Sequence, residues 1–373
     1  MITHNSVTEG STSRNHNKRV VAVDLFCGAG GLTYGLSSSG IKVQVGVDID
    51  PACRYALEEN SGAKFVCRDI QDLTAELVAE WFDDAEIRVL AGCAPCQPFS
   101  TYSQSRKSND SRWTLLKEFQ RIAVELLPEI VTMENVAGLS KQPVWSQFVD
   151  ALRTNGYYVD WKIANCVDFG VPQRRKRLVL LASRLGPIAL FSPRSMMHAT
   201  VKHAIGNLPP IEAGGSDPSD RLHAAASLSP INLKRIQASI PGGTWRDWPK
   251  RLRTKCHRRT SGKTYPSVYG RMEWSKPAPT MTTQCYGYGN GRFGHPEQNR
   301  AISLREAAIL QSFPREYKFV PENESVSFSR IGTLIGNAVP PKLGEAIGSS
   351  ILAHLGEKAV DDMDASMKQL ALF

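Results

Sequence analysis

Short apolar runs alternate with amphipathic stretches along the first half of the 373-residue chain. Apolar runs of about four to eight residues, bounded by glycine or polar residues, are typical of strands buried on both faces of a parallel sheet. Helical spacing lies between these runs, as at Leu115, Phe119, Ile122 and Leu126. Strands that alternate with helices predict an α/β fold with a mainly parallel sheet. The predicted strands are residues 20–27, 41–47, 63–67, 87–91, 129–133, 157–166 and 178–182.

The alternation ends near Leu185, and proline, glycine, serine and basic residues dominate as far as Gly294. Helical spacing then returns at Leu304, and a last amphipathic helix is predicted as far as Leu355. The pattern predicts five parts. They are a disordered lead-in (1–19), the first part of an α/β domain (20–184), a smaller irregular domain (185–294), a return to the first domain (295–355) and a frayed tail (356–373).

Composition narrows the class of protein. Hydrophobic content of 42% and charged content of 22% are ordinary for a soluble globular protein. No run of about 18 apolar residues predicts a membrane span, and residues 1–19 lack the apolar segment of a signal peptide. The eight cysteines are scattered rather than arranged as a disulfide framework, which predicts a reducing, cytoplasmic setting.

The net charge of +9 is concentrated in one segment. Eleven Lys or Arg and a single acid, Asp247, lie between Arg221 and Lys263. Because Trp245, Trp248 and Tyr265 are interleaved with these charges, the segment favours a polyanionic partner over a solvated basic face.

A glycine-rich turn, Gly28-Ala29-Gly30-Gly31, follows the first predicted strand and precedes a helix. Glycines at this position let the backbone approach a ligand at the helix N-terminus, so the turn predicts a site for an adenosine-type cofactor. Thr33 breaks the dinucleotide fingerprint. Asp48, at the end of the second strand, is the predicted ribose ligand, with Asp50 as helix cap. Asp69, after the third strand, is assigned either to the adenine amino group or to a helix cap.

Cys96 is held between Pro95 and Pro98 on a stiff loop after the fourth predicted strand. The carboxyl ends of strands are where open α/β sheets place their chemistry, which favours a thiolate nucleophile. A small buried residue, or a redox or zinc pair with Cys93, are the alternatives, although no second ligand pair is present for zinc. The polar stretch 101–112 has the composition of an active-site lid.

A carboxylate and two arginines follow at neighbouring positions of the predicted sheet. Glu134 follows the fifth strand, beside the Cys96 loop if the two strands are parallel. Arg175 and Arg177 share one face of an extended segment between two apolar strands. A solvated charge run is the alternative, but a segment between two apolar strands at the active-site edge is not where charged residues without a role are expected.

Taken together, these motifs closely resemble the bacterial-type DNA (cytosine-5)-methyltransferase family over residues 20 to about 355. Asp24 to Gly31 is similar to its S-adenosylmethionine motif, and Pro95-Cys96-Gln97 to its catalytic motif. The remaining similarities follow in the family's order: Glu134-Asn135-Val136, Gln173-x-Arg175-x-Arg177, Arg305 to Pro314, and Gly336-Asn337-Ala338-Val339-Pro340. The resemblance implies a Rossmann-like S-adenosylmethionine-dependent methyltransferase sheet, with residues 185–294 inserted as a smaller target-recognition domain.

The family's chemistry assigns a role to each catalytic candidate. Cys96 is implied to add as a thiolate to cytosine C6, and a protonated Glu134 to donate to N3. Arg175 is implied to orient the base O2 and Glu134, with Arg177 as a supporting contact. The target base must leave the duplex to be reached. The identity of the group that removes the C5 proton is not implied.

The family also implies a pocket for S-adenosylmethionine and a set of partners. The implied pocket residues are Phe26, Gly28, Gly30, Asp48, Ile49, Asp69, Ile70, Pro95, Asn337 and Val339. Cys27 departs from the small residue that the family often has there. Double-stranded DNA is the implied partner of a monomeric, metal-free enzyme, with cognate restriction or phage-defence proteins as an expectation from family habit. The recognised DNA sequence and the base-reading residues are not implied.

Two rival functions remain open at this point. The first is a tRNA cytosine-5 methyltransferase, whose basic insertion would read RNA shape. The second is a non-catalytic DNA-binding subunit. The intact set Cys96, Glu134, Arg175 and Arg177 argues against a non-catalytic subunit.

Overall fold

The computed structural model of the chain describes residues 18–95, 113–191, 198–259, 262 and 265–356. Cys96, the predicted lid at 101–112, residues 1–17 of the predicted lead-in and residues 357–373 of the predicted tail therefore lie outside the described residues.

Seven strands form the central sheet. They are β1 (Val20–Leu25), β2 (Lys42–Asp48), β3 (Lys64–Cys67), β4 (Ile87–Gly92), β5 (Ile130–Val136), β6 (Tyr158–Asn165) and β7 (Lys176–Ser183). Their order across the sheet is β3-β2-β1-β4-β5-β7-β6. The first five strands pair in parallel, whereas β7 runs antiparallel to both β5 and β6. The start of β7 therefore lies at the same edge as the carboxyl ends of β4 and β5.

The apolar runs located all seven strands of the central sheet, and two boundaries differ in a way that matters for the site. β1 ends at Leu25 rather than residue 27, because Phe26 (φ 64°) and Gly28 (φ 52°) adopt left-handed backbone that no strand can continue. β5 continues through Glu134 to Val136, so the carboxylate lies within the strand instead of after it.

Helices cover both faces of the sheet, because successive strand residues point to opposite faces and both faces are apolar. Val21 and Val23 contribute to one core, and Val20 and Ala22 to the other. The helices of the first part are α1 (Gly31–Ser38), α2 (Cys53–Ser61), α3 (Ala75–Glu80), α4 (Thr114–Leu126) and α5 (Pro143–Thr154).

The chain between β7 and the last helices forms a smaller, irregular part with its own core. Its elements are α6 (Val201–Ile205), β8 (Ser216–Asp217), β9 (Asp220–Ala224) and α7 (Pro230–Gln237). Trp245 and Trp248 are each 2% exposed and pack with Ile236 and Tyr288 in this core. Both tryptophans therefore belong to this core, although Trp245 also lines a cavity at the surface, whereas Tyr265 is exposed.

The final segment returns to the central sheet through α8 (Leu304–Leu310), α9 (Phe328–Asn337) and α10 (Pro341–His354). Leu343, Ile347 and Ile351 of α10 are buried against α1, which confirms the predicted packing of the last helix on the first part. No helix among the described residues is long and apolar enough to cross a membrane.

Candidate active site

Glu134 lies at the centre of the candidate site, with each carboxylate oxygen beside a different group. The Cys93 thiol donates to Oε2 at 3.0 Å, and Arg177 Nε lies 2.9 Å from Oε1. The Arg177 contact is an ion pair without hydrogen-bond alignment, since Oε1 accepts no aligned hydrogen bond among the described residues. Glu134 is 2% exposed. Oε1 is therefore a buried acceptor that lacks an aligned donor among the described residues.

Strand register brings these three side chains together. Gly92 of β4 pairs with Met133 of β5, so Cys93 and Glu134, one residue further along, are neighbours. On the other side, Val136 of β5 pairs with Arg177 of the antiparallel β7. Burial, followed by the charge of Glu134, raises the pKa of the Cys93 thiol well above its ordinary value. Cys93 is therefore a protonated hydrogen-bond donor at neutral pH.

Asn135 fixes the loop that leads to Cys96. Its amide Nδ2 donates to the Ala94 carbonyl at 2.9 Å, and its Oδ1 accepts from the Val136 backbone N–H at 2.8 Å. Pro95, an expected cofactor residue, is exposed at the end of this loop. The sequence reasoning gave no role to Asn135 or to the Cys93 contact; parallel pairing of the two strand ends was the signal for both.

The two arginines make different contacts, one with a carboxylate and the other with backbone carbonyls. Arg175 was expected to orient Glu134, but Arg177 makes that contact. The buried Arg175 guanidinium instead donates to the backbone carbonyls of Met281 at 3.1 Å, and of Gly336 and Ala338 at 3.2 Å each. Burial, followed by the charge of Arg177, lowers the Arg175 pKa to about 9.

Gln173 and Gln311 reinforce the Arg175 junction. Gln173 Nε2 donates to the Leu310 carbonyl at 3.0 Å and to Gln311 Oε1 at 2.6 Å, while its Oε1 accepts from the Met281 N–H at 2.9 Å. Gln311 Nε2 donates to the Ala338 carbonyl at 2.8 Å. This junction holds the approach to β7, the 281 loop and the segment after α9 as one unit.

The glycine turn after β1 and Asp48 form a cradle. Gly28 N–H donates to Asp48 Oδ2 at 2.9 Å, and Asp50 N–H donates to Oδ1 at 3.0 Å. A Cβ on Gly28 would meet nothing within 4 Å, so open space lies over the turn. Phe26 and Gly30 complete it in left-handed conformations. Burial raises the Asp48 pKa.

The chain's last segment closes the same edge. A Cβ on Gly31 would overlap the Val339 carbonyl oxygen, so the two backbones touch. Asn337 is exposed at the end of α9. The contact brings Val339 beside the glycine turn, and Asn337 lies two residues before it.

The other expected pocket residues differ in their exposure. Ile49 is 64% exposed, the highest value among the large hydrophobic side chains that are described, whereas Ile70 is buried at 4%. Asp69 caps the short 3-10 helix Ile70–Asp72 by accepting from the Gln71 N–H at 3.0 Å. Thr74, not Asp69, caps α3. Asp50 caps the turn before α2 by accepting from the Ala52 N–H at 2.9 Å, and α2 itself begins at Cys53.

Asp24, beneath the turn, was not assigned a role from the sequence. It is fully buried, and its Oδ2 accepts from the Thr33 hydroxyl at 2.7 Å. Burial, opposed by that hydrogen bond, raises the Asp24 pKa to about 7.

A basic cavity of about 630 Å³ opens in the smaller part of the molecule. Within it, the Trp245 and His257 rings stack with centroids 4.3 Å apart. The cavity thus combines a rigid aromatic wall with concentrated positive charge. Its lining is Trp245, Arg246, Lys250, Arg251, Arg253, His257 and Arg258.

Comparisons with known proteins identify the relatives of this chain. The model of the family described as C-5 cytosine-specific DNA methylase matches residues 20–353. The Type II methylase M.HgiDII of Herpetosiphon aurantiacus is 47% identical over 89% of this chain and 95% of its own length. The Type II methyltransferase M1.HphI of Haemophilus parahaemolyticus is 31% identical over 88% and 86%, respectively.

Solved structures share the fold. A protein named as a DNA modification methyltransferase encoded within an E. coli prophage superposes with a TM-score of 0.69 at 24% identity, over 91% of this chain and 100% of the other. Spodoptera frugiperda DNMT2 superposes with a TM-score of 0.59 at 19% identity, over 89% and 99%. The sheet with its helices is therefore the S-adenosylmethionine-dependent methyltransferase fold.

Proposed function

This chain belongs to the C-5 cytosine-specific DNA methylase family, and from that premise we propose how its residues methylate DNA. It is a DNA (cytosine-5)-methyltransferase. In the proposed reaction, a methyl group passes from S-adenosylmethionine to C5 of a flipped-out cytosine within a specific short DNA sequence. The observation that carries the proposal is the buried Glu134 of β5, held between Cys93 and Arg177 beside the end of β4, the strand that leads towards Cys96.

The proposed cofactor pocket fits the described residues. Open space over Gly28, the half-buried Phe26 and the exposed Ile49 suit an adenosine moiety, and Asp48 lies where a ribose diol would be read. Asp69, Ile70, Pro95, Asn337 and Val339 complete the proposed pocket. S-adenosylmethionine, when bound there, supplies an electrophilic methyl group.

The protein's own part in the reaction is to make C5 nucleophilic. The Cys96 thiolate adds to C6, forming the S–C6 bond, and the displaced electron pair is neutralised at N3 by a proton from Glu134. Arg177 offsets the negative charge that Glu134 then carries. After C5 is methylated, the N3 proton returns to Glu134 and a base takes the C5 proton. The electron pair of that C–H bond re-forms the C5–C6 double bond as the C6–S bond breaks, and Cys96 leaves as a thiolate. Arg175 acts by holding the wall of the site together.

The target base is inaccessible within a duplex, and extruding it costs a few kcal/mol. Phosphate contacts must offset that cost. The basic cavity is the proposed phosphate-binding surface, because five of its seven lining residues are Lys or Arg. Residues 185–294, which include it, are the proposed target-recognition domain, and duplex DNA is the proposed partner.

Relatives named as Type II methylases support a role in a restriction-modification system. We extend this to a monomeric enzyme acting in the bacterial cytoplasm beside a cognate nuclease. The location and the cognate nuclease rest on the relatives. The monomeric state rests on one chain carrying all the proposed catalytic residues.

Expression in a host lacking cytosine methylation, followed by genome-wide mapping of 5-methylcytosine, tests the proposal. A short motif methylated with the intact chain and unmethylated with Cys96→Ala is the expected result, with the variant still folded and bound to DNA. Methylation that persists in Cys96→Ala would overturn the role of Cys96. Unmethylated DNA together with methylated tRNA would overturn the DNA substrate.

A further inference from the structure

We propose that Cys93 is a positioning residue for the methylation reaction, acting through Glu134. The inference rests on the proposed function of Glu134. By donating its S–H to Oε2, Cys93 holds the carboxyl group in one orientation and leaves Oε1 directed at the substrate. Cys93 itself contacts neither substrate nor cofactor in this assignment.

The contacts of Glu134 support this division of labour. Oε2 accepts from Cys93 Sγ at 3.0 Å, while Oε1 lies by Arg177 Nε at 2.9 Å without an aligned hydrogen bond. A carboxyl group that must exchange a proton with a ring nitrogen needs one oxygen free and the other fixed.

The geometry is built into the sheet and is independent of loop conformation. Cys93 directly follows β4 and Glu134 lies in β5, in register with one another. The Cys93 N–H also donates to the Leu25 carbonyl at 3.2 Å, which fixes the backbone that carries the thiol. A packing role alone would require only the volume of the side chain, whereas the proposal requires its hydrogen.

Three variants separate the two roles. Cys93→Ser keeps a donor, Cys93→Ala removes it, and Cys166→Ala is the control that removes a buried thiol elsewhere. For Cys93→Ala we expect kcat to fall on the order of tenfold, with the KM for S-adenosylmethionine unchanged. Cys93→Ser should recover most of the loss, and Cys166→Ala should retain the wild-type kcat.

A second measurement does not depend on turnover. The infrared S–H stretching band that Cys93→Ser removes should shift in Glu134→Gln, because the neutral amide is a weaker acceptor than a carboxylate. An unshifted band, or equal kcat in Cys93→Ala and the wild type, would overturn the inference. Equal losses in the Ala and Ser variants would indicate packing and overturn it as well. An inactive wild-type chain would instead overturn the proposed function.

Discussion

Arg177 and Glu134 form an ion pair across two antiparallel strands, with Nε 2.9 Å from Oε1 and side chains 14% and 2% exposed. The pair lies at the edge where β7 begins beside the end of β5. An arginine remains charged under all ordinary conditions, so it can balance a carboxylate that the strand buries. The ion pair therefore lets the sheet carry a catalytic acid in its interior.

Removing Arg177 should cost stability as well as activity. A buried charge left without its partner typically destabilises a fold by about 3 to 5 kcal/mol. Since Arg177 keeps some exposure, we expect roughly 3 kcal/mol for Arg177→Ala in urea unfolding, and a methyl-transfer rate lowered by about two orders of magnitude. Lys176→Ala, at the exposed neighbouring position, should change neither. Adding Glu134→Gln to Arg177→Ala should restore stability without restoring the rate; a double variant no more stable than Arg177→Ala would contradict the charge argument.

Arg175 should behave as a structural junction. Because its guanidinium joins three carbonyls near Asn337 and Val339, Arg175→Ala should lower stability, S-adenosylmethionine affinity and methyl transfer together. Arg175→Lys should recover little, since one ammonium cannot reproduce the planar set of donors. Calorimetric titration with S-adenosylmethionine and urea unfolding test this, with the exposed Arg174→Ala as control. Loss of transfer alone, with affinity and stability intact, would assign Arg175 to the substrate instead.

Asp24 should make stability depend on pH. Its pKa is about 7 in the folded chain against 3.8 ordinarily, so the folded state binds this proton more tightly. The contribution to the free energy of unfolding is therefore largest below pH 4 and is lost as pH rises to about 7. Between pH 5 and pH 8, Asp24→Asn should gain roughly 3 kcal/mol relative to the wild type.

Urea unfolding across this pH range measures the Asp24 effect. Thr33→Val is the matched control: it removes the hydrogen bond that lowers the Asp24 pKa, so the loss should extend to higher pH. Parallel pH curves for Asp24→Asn and the wild type would refute the assignment.

The basic cavity should control DNA affinity through counterion release. Lys250 and Arg251 are exposed at its edge, and among the described residues their side chains have no hydrogen-bonding or ion-pair partner. The double variant Lys250→Ala/Arg251→Ala should bind DNA more weakly and reduce the slope of log K against log salt by about 1.8. Fluorescence anisotropy at several salt concentrations measures this. The control is Lys42→Ala/Lys64→Ala, which changes the first residues of β2 and β3. An equal change of slope in the control would disprove a local effect of the cavity.

The sequence predicted the strands and the site's edge because a buried sheet demands continuous apolar runs and places its polar residues at strand ends. The proximity of Glu134 to the Cys96 loop was inferred on the condition that the strands are parallel, and β4 and β5 are parallel. Local periodicity does not depend on strand direction or strand order. The antiparallel direction of β7 and its position between β5 and β6 could therefore not be predicted from it.

The roles of the two arginines depended on distant contacts. Alternation places Arg175 and Arg177 on one face. Arg175 is the one that donates to a backbone carbonyl, that of Met281, which lies over 100 residues further along the chain. The burial of the tryptophans was not predicted for a related reason. Their positions among charged residues do not show which side chains are buried, and Trp248 is buried in the core of the smaller part, where its ring N–H donates to Ser239 at 2.8 Å.

The contact between Gly31 and Val339 has a consequence for the growing polypeptide. The two residues that meet are separated by about 300 positions, so the wall that Val339 provides does not exist while the first part of the sheet emerges from the ribosome. At roughly 5 to 20 residues per second, the interval is about 15 to 60 s. During that time the chain has its glycine turn and its Cys96 loop but an unfinished cofactor pocket. We therefore expect newly made enzyme to acquire activity only after Val339 has been synthesised, and so after residues 185–294.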